Sequence, residues 1–408
     1  MNPGLVVKLR PAGPWRIGPD TGARNRVDIV YHSDSLYSAV TGAMLRLGAL
    51  EEWLDATARS GNPAVCFGSC FPFVDEIGFV MPPRSVWPPQ SPSASAARVR
   101  WKSARFVPIG VVQAILSGQP LDDGRWTVDG ASECLLPAGR SGPFRTGVRG
   151  NAAVDRMTGA VERHSMACLE FRPGAGLWTV VSFRDEAARE AWGDRVKAAF
   201  RLLADSGFGG ERSRGWGRAE APEFMEGSLP EMILPAVKAG AEEAAESSEI
   251  QVPLAAPDHA EPAEPDEPAT VPTEPVEESR DGEGAADDAA PDESAEPHDP
   301  TIEGEPNPQE SSSSDLTAYW LLSLFSPAQA DDVDWQRGNY SLIARCGRVE
   351  SPAGSGELKK TVNMVTEGSV IYTPGAPRGS APDVAPDGFA HPVFRAGFAL
   401  AIPLPEGR

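Results

Sequence analysis

Apolar side chains recur at helical spacing in two segments of the first half of the chain. The segments 32–48 and 185–207 each place an apolar residue every three to four positions, which is typical of an amphipathic helix with one buried face. Ser33 or Asp34 can cap the first helix, and Asp185 can cap the second. The sequence therefore predicts two helices of about four to six turns.

Short apolar runs around these helices predict β-strands. Residues 4–9 form one such run, and residues 166–171 and 177–183 flank a Gly/Pro turn that favours a β-hairpin. A short strand is also expected after residue 218. The resulting order of strand, helix, hairpin, helix and strand predicts a ferredoxin-like, or RRM-like, domain with an insertion over about 98–165, in which no clear helix is expected.

The last 93 residues carry their own apolar runs, at 318–327, 359–365, 368–372 and 393–404. These runs predict the strands of a second small domain, so the chain as a whole is expected to be an α+β protein.

A strongly acidic tract separates these two regions. Residues 241–315 hold 24 Asp and Glu, one basic residue, 12 Pro and no aromatic residue, so the tract accounts for more than the whole formal charge of −21. Such a composition cannot bury enough apolar surface to offset its ordering entropy, which predicts a disordered tether. We therefore expect domains at 1–225 and 316–408, with a linker over 226–315, and a folded remainder that is nearly neutral and free to carry a basic groove.

Several classes of protein are excluded at this point. The most apolar run, 319–325, is seven residues long, far below the roughly 20 residues of a membrane helix, and the N-terminus does not resemble a secretory signal. Five cysteines suggest a reducing, cytoplasmic setting. Cys66 and Cys70 lack a neighbouring second pair, so neither a metal site nor a cofactor is expected.

The segment 207–218 is the most distinctive local motif. Its glycines allow positive φ and close approach of the backbone, its arginines suit phosphate groups, and Trp216 can stack on a base or pack into a core. The segment matches neither a P-loop nor a G-x-G-x-x-G motif. It is therefore interpreted as a contact to an RNA backbone, with a plain helix-to-strand turn as the alternative.

Two further features are open to more than one interpretation. His32 and Ser33 stand at a helix N-terminus, where they can contact a phosphate or simply form a capping turn. The arginine-rich segment 139–164 is either a basic hairpin or a solvated loop.

Four segments occur in an order that resembles a known family. They are 32–40, 149–161, 203–218 and 359–371. Together they resemble the RAMP-type fourth subunit of the type III-A CRISPR–Cas Csm effector complex, over nearly 330 residues that skip the acidic tract.

The resemblance implies two ferredoxin-like domains and a non-catalytic RNA-binding role in antiviral defence. Such a subunit holds the 5′ tag of the crRNA and joins the large polymerase/cyclase-like subunit to the backbone RAMP subunits. A protruding thumb hairpin lies across the guide–target RNA duplex, and Asp155 falls within the matching segment. The expected RNA-binding residues, from the resemblance and the composition of the loop, are His32, Ser33, Arg149, Arg156, Gly209, Gly210, Arg212, Ser213, Arg214, Gly215, Trp216, Gly217 and Arg218.

Two other hypotheses remain. A related RAMP fold is a crRNA-processing endoribonuclease, in which His32 would serve as the general base. Asp28 and Asp34 lie in the same region, but the resemblance implies no cleavage and neither receives a catalytic role. The third hypothesis is a scaffold whose acidic tract mimics RNA.

Overall fold

The computed structural model describes residues 2–19, 22–89, 101–235, 316–351 and 354–405. Within these residues the α-helices, α1 to α4 in chain order, are Ser33–Arg46, Leu50–Ala56, Ile109–Leu116 and Glu186–Ser206. The strands, β1 to β21 in chain order, are Asn2–Leu9, Val65–Phe67, Phe71–Val74, Ile77–Val80, Val107–Pro108, Trp126–Asp129, Cys134–Pro137, Phe144–Val154, Val161–Phe171, Ala175–Phe183, Glu223–Leu229, Thr317–Leu321, Asp334–Asn339, Leu342–Arg345, Arg348–Ser351, Gly354–Leu358, Val362–Val365, Val370–Thr373, Gly379–Ser380, Gly397–Phe398 and Ala401–Pro403.

The N-terminal region is built on one seven-stranded antiparallel sheet. Its strand order is β11-β1-β10-β3-β4-β5, and β2 also pairs with β10. The central strands β1 and β10 are apolar almost throughout, as expected for strands covered on both faces. Helices α1 and α4 pack against each other, and α4 contacts both β1 and β10.

Both predicted helices are present. The side chain of Asp185 accepts a hydrogen bond from the Ala188 amide at 2.7 Å, and Gly207 ends α4 with a φ of 92°. Helix α1 begins after His32, whose side chain makes no capping bond. The prediction that Ser33 or Asp34 caps α1 is therefore wrong, because both side chains instead contact other parts of the chain.

The predicted hairpin between 166–171 and 177–183 is also wrong. Strand β9 pairs with β8, whereas β10 pairs with β1, β2 and β3. The strands adjoin in sequence, but the apolar β10 is buried in the main sheet while the polar first half of β9 leaves it. Helix Ile109–Leu116 lies inside the segment for which no helix was expected.

The C-terminal region contains a four-stranded sheet of order β13-β18-β12-β21 and several two-stranded pairs. All four predicted apolar segments hold strands, but the described residues after 316 contain no α-helix and only one short 3-10 helix, Gln329–Asp331. The overall fold is mixed α and β, with few helices and many antiparallel strand pairs. A second ferredoxin-like domain is not confirmed.

The two regions share one core rather than meeting at a surface. Trp320 is fully buried and donates from Nε1 to the Met81 carbonyl at 3.0 Å, and the Phe398 ring lies 5.6 Å from that of Tyr37. Both regions belong to one compact unit. Strand β11 runs to Leu229, so the ordered chain continues past the predicted linker start at 226, while the linker from 236 to 315 lies outside the described residues.

No helix in the described ranges combines the length and hydropathy needed to cross a membrane.

Candidate nucleic-acid interface

Strands β8 and β9 form a long two-stranded ribbon that projects from the sheet. Each strand has eleven residues, and the exposed side chains concentrate toward the far end. Asp155 closes the turn at the tip, where its carboxylate accepts hydrogen bonds from the Met157 amide and the Thr158 hydroxyl, both at 2.8 Å. Met157 is 93% exposed. This ribbon includes most of the arginine-rich segment 139–164, which the sequence left open as a basic hairpin or a solvated loop, and the structure shows a hairpin there. The ribbon, residues 144–171, is called the thumb below.

Arginines of the thumb are held in exposed ion pairs. Arg149 lies 2.6 Å from one carboxylate oxygen of Glu170, and Arg145 lies 3.1 Å from the other. Arg156 is exposed at the tip. Because exposed ion pairs contribute only about 0–1 kcal/mol, a phosphate can replace Glu170 as a partner of these guanidinium groups at little cost.

The Gly-rich loop, residues 207–218, connects α4 to β11 and is closed at its neck by backbone hydrogen bonds. The Gly210 amide donates to the Arg16 carbonyl at 2.9 Å, and the Phe208 amide donates to the Gly217 carbonyl at 2.9 Å. Between these points the chain turns outward as a short 3-10 helix, Arg212–Arg214. The loop is therefore a fixed protrusion.

The loop glycines are required by the conformation of the loop itself. Gly209 and Gly217 have φ values of 68° and 77°, and a Cβ at either position would collide with the carbonyl oxygen of Arg16 or Phe208. Gly215 has a φ of 79°, but a Cβ there meets nothing within 4 Å. The close approach of the backbone that the sequence predicted is therefore an approach to the chain's own carbonyl groups.

The outer turn of the loop presents its polar side chains to solvent. Arg212 lies 2.7 Å from Glu350 of β15, and Arg214 forms an ion pair with Glu211. Arg214 Nη2 also lies 3.4 Å from Nε2 of His164 on β9. Ser213 and Arg218 complete the set of exposed polar side chains.

Trp216 fixes the loop to the base of the thumb. Its side chain is 9% exposed and packs in a small cluster with Met166 and Cys168 of β9. The structure therefore gives Trp216 a packing role, and its ring is not presented for base stacking. The loop and the thumb form one surface, on which Arg212, Arg214, His164 and Arg149 are accessible.

His32 and Ser33 are buried and do not form part of this surface. His32 is 3% exposed, with Nδ1 at 2.7 Å from Glu367 and Nε2 at 3.2 Å from Asp28. Ser33 is buried, and its hydroxyl accepts a hydrogen bond from the Leu324 amide at 3.0 Å. These two predicted RNA contacts are therefore removed from the candidate interface, because both side chains hold the N-terminal region to the C-terminal region.

The environment of His32 does not suit a general base. Burial opposes the charged imidazolium, but the carboxylates of Glu367 and Asp28 outweigh it and raise the pKa of His32 to about 9. At neutral pH the ring is protonated, and both N–H groups are directed at carboxylates. A base must accept a proton near the operating pH and must reach its substrate, and His32 does neither.

Asp34 is the centre of a second buried network that the sequence did not reveal. Arg345 donates to its two oxygens from Nε at 3.1 Å and from Nη2 at 3.0 Å, and Arg395 forms a further ion pair. Burial disfavours the carboxylate, but the two guanidinium groups lower the pKa of Asp34 to about 2. In the sequence, the only indication of these partners is that Arg345 and Arg395 are charged residues within the largely apolar segments 342–345 and 393–404.

These networks predict how stability depends on pH. The pKa of His32 is raised from 6.5 to about 9, so its contribution is complete below pH 6.5 and is lost as the pH rises through about 9. The pKa of Asp34 is lowered from 3.8 to about 2, so its contribution is present above pH 3.8 and is lost as the pH falls through about 2. We expect the highest Tm between about pH 4 and pH 6.5.

The variant His32→Gln tests the alkaline side of this profile. Because Gln does not titrate, the loss of Tm between pH 6.5 and 9 should be smaller than in the wild type. An unchanged alkaline slope would show that other groups cause it.

Among the described residues, no group of three or more His, Cys, Asp and Glu side chains could hold a metal ion. Burial raises the pKa of the Cys66 thiol to about 12 and also raises that of Cys70. Both thiols are therefore neutral at physiological pH, which makes them poor ligands and poor nucleophiles.

Comparisons with known proteins identify one family model and several solved structures to which this chain is similar. Residues 314–404 match the family model described as the CRISPR Csm4 C-terminal domain. A chain of the Csm3–Csm4 subcomplex of the type III-A CRISPR–Cas interference complex superposes with a TM-score of 0.52 at 13% identity, covering 98% of this chain and 99% of that chain. A chain of the Csm1–Csm4 cassette in complex with cA4 gives a TM-score of 0.50 at 15% identity, with 99% and 100% covered. No curated protein sequence matches significantly.

The mixed fold with many antiparallel strands is shared with that chain of the Csm3–Csm4 subcomplex. The resemblance to the fourth subunit of the Csm complex is confirmed, through the C-terminal domain match and the shared fold.

Proposed function

We propose that this chain is an RNA-binding, non-catalytic subunit of a type III-A CRISPR interference complex. It holds the 5′ tag of the crRNA and joins the large polymerase/cyclase-like subunit to the backbone RAMP subunits. One observation carries the RNA-binding role: the exposed arginine turn of the Gly-rich loop is packed against the thumb, so two basic elements form one continuous surface. The Csm4 C-terminal domain match and the shared fold support the place in the complex.

The charge pattern of this surface suits a phosphodiester backbone. Arg149, Arg212 and Arg214 each pair with one glutamate, and all three ion pairs lie at the surface. Guanidinium groups bind phosphate oxygens with two parallel N–H donors, so RNA can exchange with these glutamates. Contacts of this kind position the strand without specifying its bases.

The architecture supports this assignment. The N-terminal domain fits a ferredoxin-like fold. Its elements follow the order β1, α1, β2–β3, β10, α4 and β11, and its strands lie in the sheet order β11-β1-β10-β3. The thumb then belongs to the insertion between β3 and β10, close to the expected range 98–165. We propose that the region after 316 is a shortened domain of the same class, supported on the core of the first.

The competing function is a crRNA-processing endoribonuclease with His32 as its base. The burial of His32 between Glu367 and Asp28 argues against this function. Among the described residues of the candidate interface, the only His is His164, which contacts Arg214.

The deciding experiment is to purify the chain together with its neighbouring subunits and to sequence the RNA that accompanies it. Discrete guides with a common 5′ tag are expected. In parallel, the purified chain should leave repeat RNA intact. Cleavage of repeat RNA at one site, abolished by His32→Ala in a protein that still folds, would replace this proposal with the endoribonuclease.

A further inference from the structure

The segment between β1 and α1 is hydrogen-bonded to both the thumb and the Gly-rich loop. On the thumb side, the Leu169 amide donates to the Trp15 carbonyl at 2.7 Å, and the Trp15 amide donates to the Leu169 carbonyl at 3.0 Å. On the loop side, the Arg16 carbonyl accepts from the Gly210 amide at 2.9 Å, and Trp15 Nε1 donates to the Arg218 carbonyl at 3.0 Å. The segment therefore joins the two basic elements of the candidate interface.

The buried side chain of Arg16 fixes one turn of this segment. Arg16 is 7% exposed, and in the described part of the chain its guanidinium group donates to backbone carbonyls. The acceptors are the carbonyls of Ala23 at 2.8 Å, Arg24 at 3.1 Å, Arg26 at 3.3 Å and Ala167 of β9 at 2.8 Å. A buried charge is costly unless polar groups satisfy it, so these carbonyls must stay in place around the guanidinium group. One side chain thus holds residues 23–26 against the base of the thumb.

The turn over residues 23–26 presents two arginines to solvent. Arg24 and Arg26 are both exposed, although their backbone carbonyls face Arg16. Neither side chain forms an ion pair with another described residue, whereas two arginines of the Gly-rich loop are paired with glutamates. A phosphate group that binds at this turn therefore displaces no carboxylate of the described residues.

We propose that Arg24 and Arg26 bind phosphate groups of the RNA strand that lies on the Gly-rich loop and the thumb. Arg16 is a positioning residue, because it is too buried to contact RNA and holds the turn of both arginines beside β9. A turn that is fixed before binding loses little conformational entropy when RNA binds, so its arginines contribute more affinity than arginines on a flexible loop. This inference rests on the proposed RNA-binding function and extends the interface to the segment between β1 and α1.

Replacing Arg24 and Arg26 together by Gln tests the contacts. We would measure binding of a single-stranded guide RNA with the repeat-derived 5′ tag to the full chain, by fluorescence anisotropy over a range of salt concentrations. Each lost phosphate contact lowers the slope of log affinity against log salt by roughly 0.7, so the double variant should lose roughly 1.4 and bind about tenfold more weakly. The Tm should not change, because the carbonyls that accept from Arg16 remain. The control is Gln at Arg189 and Arg195 of α4, which should leave affinity and slope unchanged.

The variant Arg16→Lys tests the positioning role. Lysine keeps the charge, but its three donors share one nitrogen and cannot reach all four carbonyls. Arg16→Lys should therefore reduce the salt slope of the wild type, and it should leave the slope of the Arg24→Gln/Arg26→Gln variant unchanged, because Arg16 acts only through these two residues. The Tm should fall in both backgrounds. Equal reductions of the slope in both backgrounds, or no reduction in either, would overturn the positioning role.

Failure of this inference is distinguishable from failure of the proposed function. If the wild type binds the tagged RNA and the Arg24→Gln/Arg26→Gln variant matches the α4 control in affinity and slope, these arginines are not contacts and RNA binding stands. If the wild type does not bind tagged RNA, the proposed function fails, and this inference fails with it.

Discussion

Replacing Asp34 by Asn is expected to lower the free energy of unfolding by about 3–5 kcal/mol, the usual cost of removing one partner from a buried ion pair. Asp34 is 4% exposed and is the shared partner of Arg345 and Arg395. An uncharged Asn would leave both buried guanidinium groups without a countercharge. The measurement is chemical denaturation of the full chain, with a probe for each region.

A surface carboxylate provides the control for this change. Asp55 lies on α2, is mostly exposed and pairs with Arg59 at 2.8 Å. Asp55→Asn should therefore lower the free energy of unfolding by less than about 1 kcal/mol. If Asp34→Asn does not fold, adding Arg345→Met should restore part of the stability, because one unpaired charge is removed. A loss from Asp34→Asn no larger than that from Asp55→Asn would show that the network does not hold the two regions together.

Replacing Arg212 and Arg214 together by Gln should abolish most of the RNA affinity. Each lost phosphate contact lowers the slope of log affinity against log salt by roughly 0.7 for a single strand, so the double variant should lose roughly 1.4. Preference among bases should change little, because phosphate contacts carry no sequence information. Titration of tagged guide RNA and of scrambled RNA over a salt series measures both quantities.

The matched control is a second pair of solvent-accessible arginines, both on α4. Arg189 pairs with Glu186, and Arg195 pairs with Glu52, both away from the loop. Gln at these two positions makes the same change in net charge and should leave the salt slope unchanged. If both double variants bind alike, the loop is a structural turn and the interface lies elsewhere.

Trp216 offers a different readout from that of the arginines. Because it packs on Met166 and Cys168, Trp216→Ala should lower the Tm as well as the RNA affinity. The arginine variants should change the affinity alone.

Features that depend on neighbouring residues were predictable from the amino-acid sequence. Helix α4 lies between Asp185 and Gly207, as the capping chemistry required. Of the four apolar positions that predicted α1, Leu36, Val40 and Ala43 are buried, whereas Leu47 is exposed just after the helix ends. Apolar segments after residue 316 all contain strands. Caps, turns and amphipathic periodicity act over a few residues, so they are visible in a single sequence.

The pairing of strands and the contacts between distant residues followed from tertiary packing instead. Adjacency in sequence suggested that β9 pairs with β10, but β9 pairs with β8. The apolar β10 is instead buried in the main sheet, where it pairs with β1. His32 and Asp34 looked like surface residues at a helix start, but Glu367 and Arg345 reach them from more than 300 positions away. Burial and electrostatic partners are set by long-range packing, which no local pattern of residues encodes.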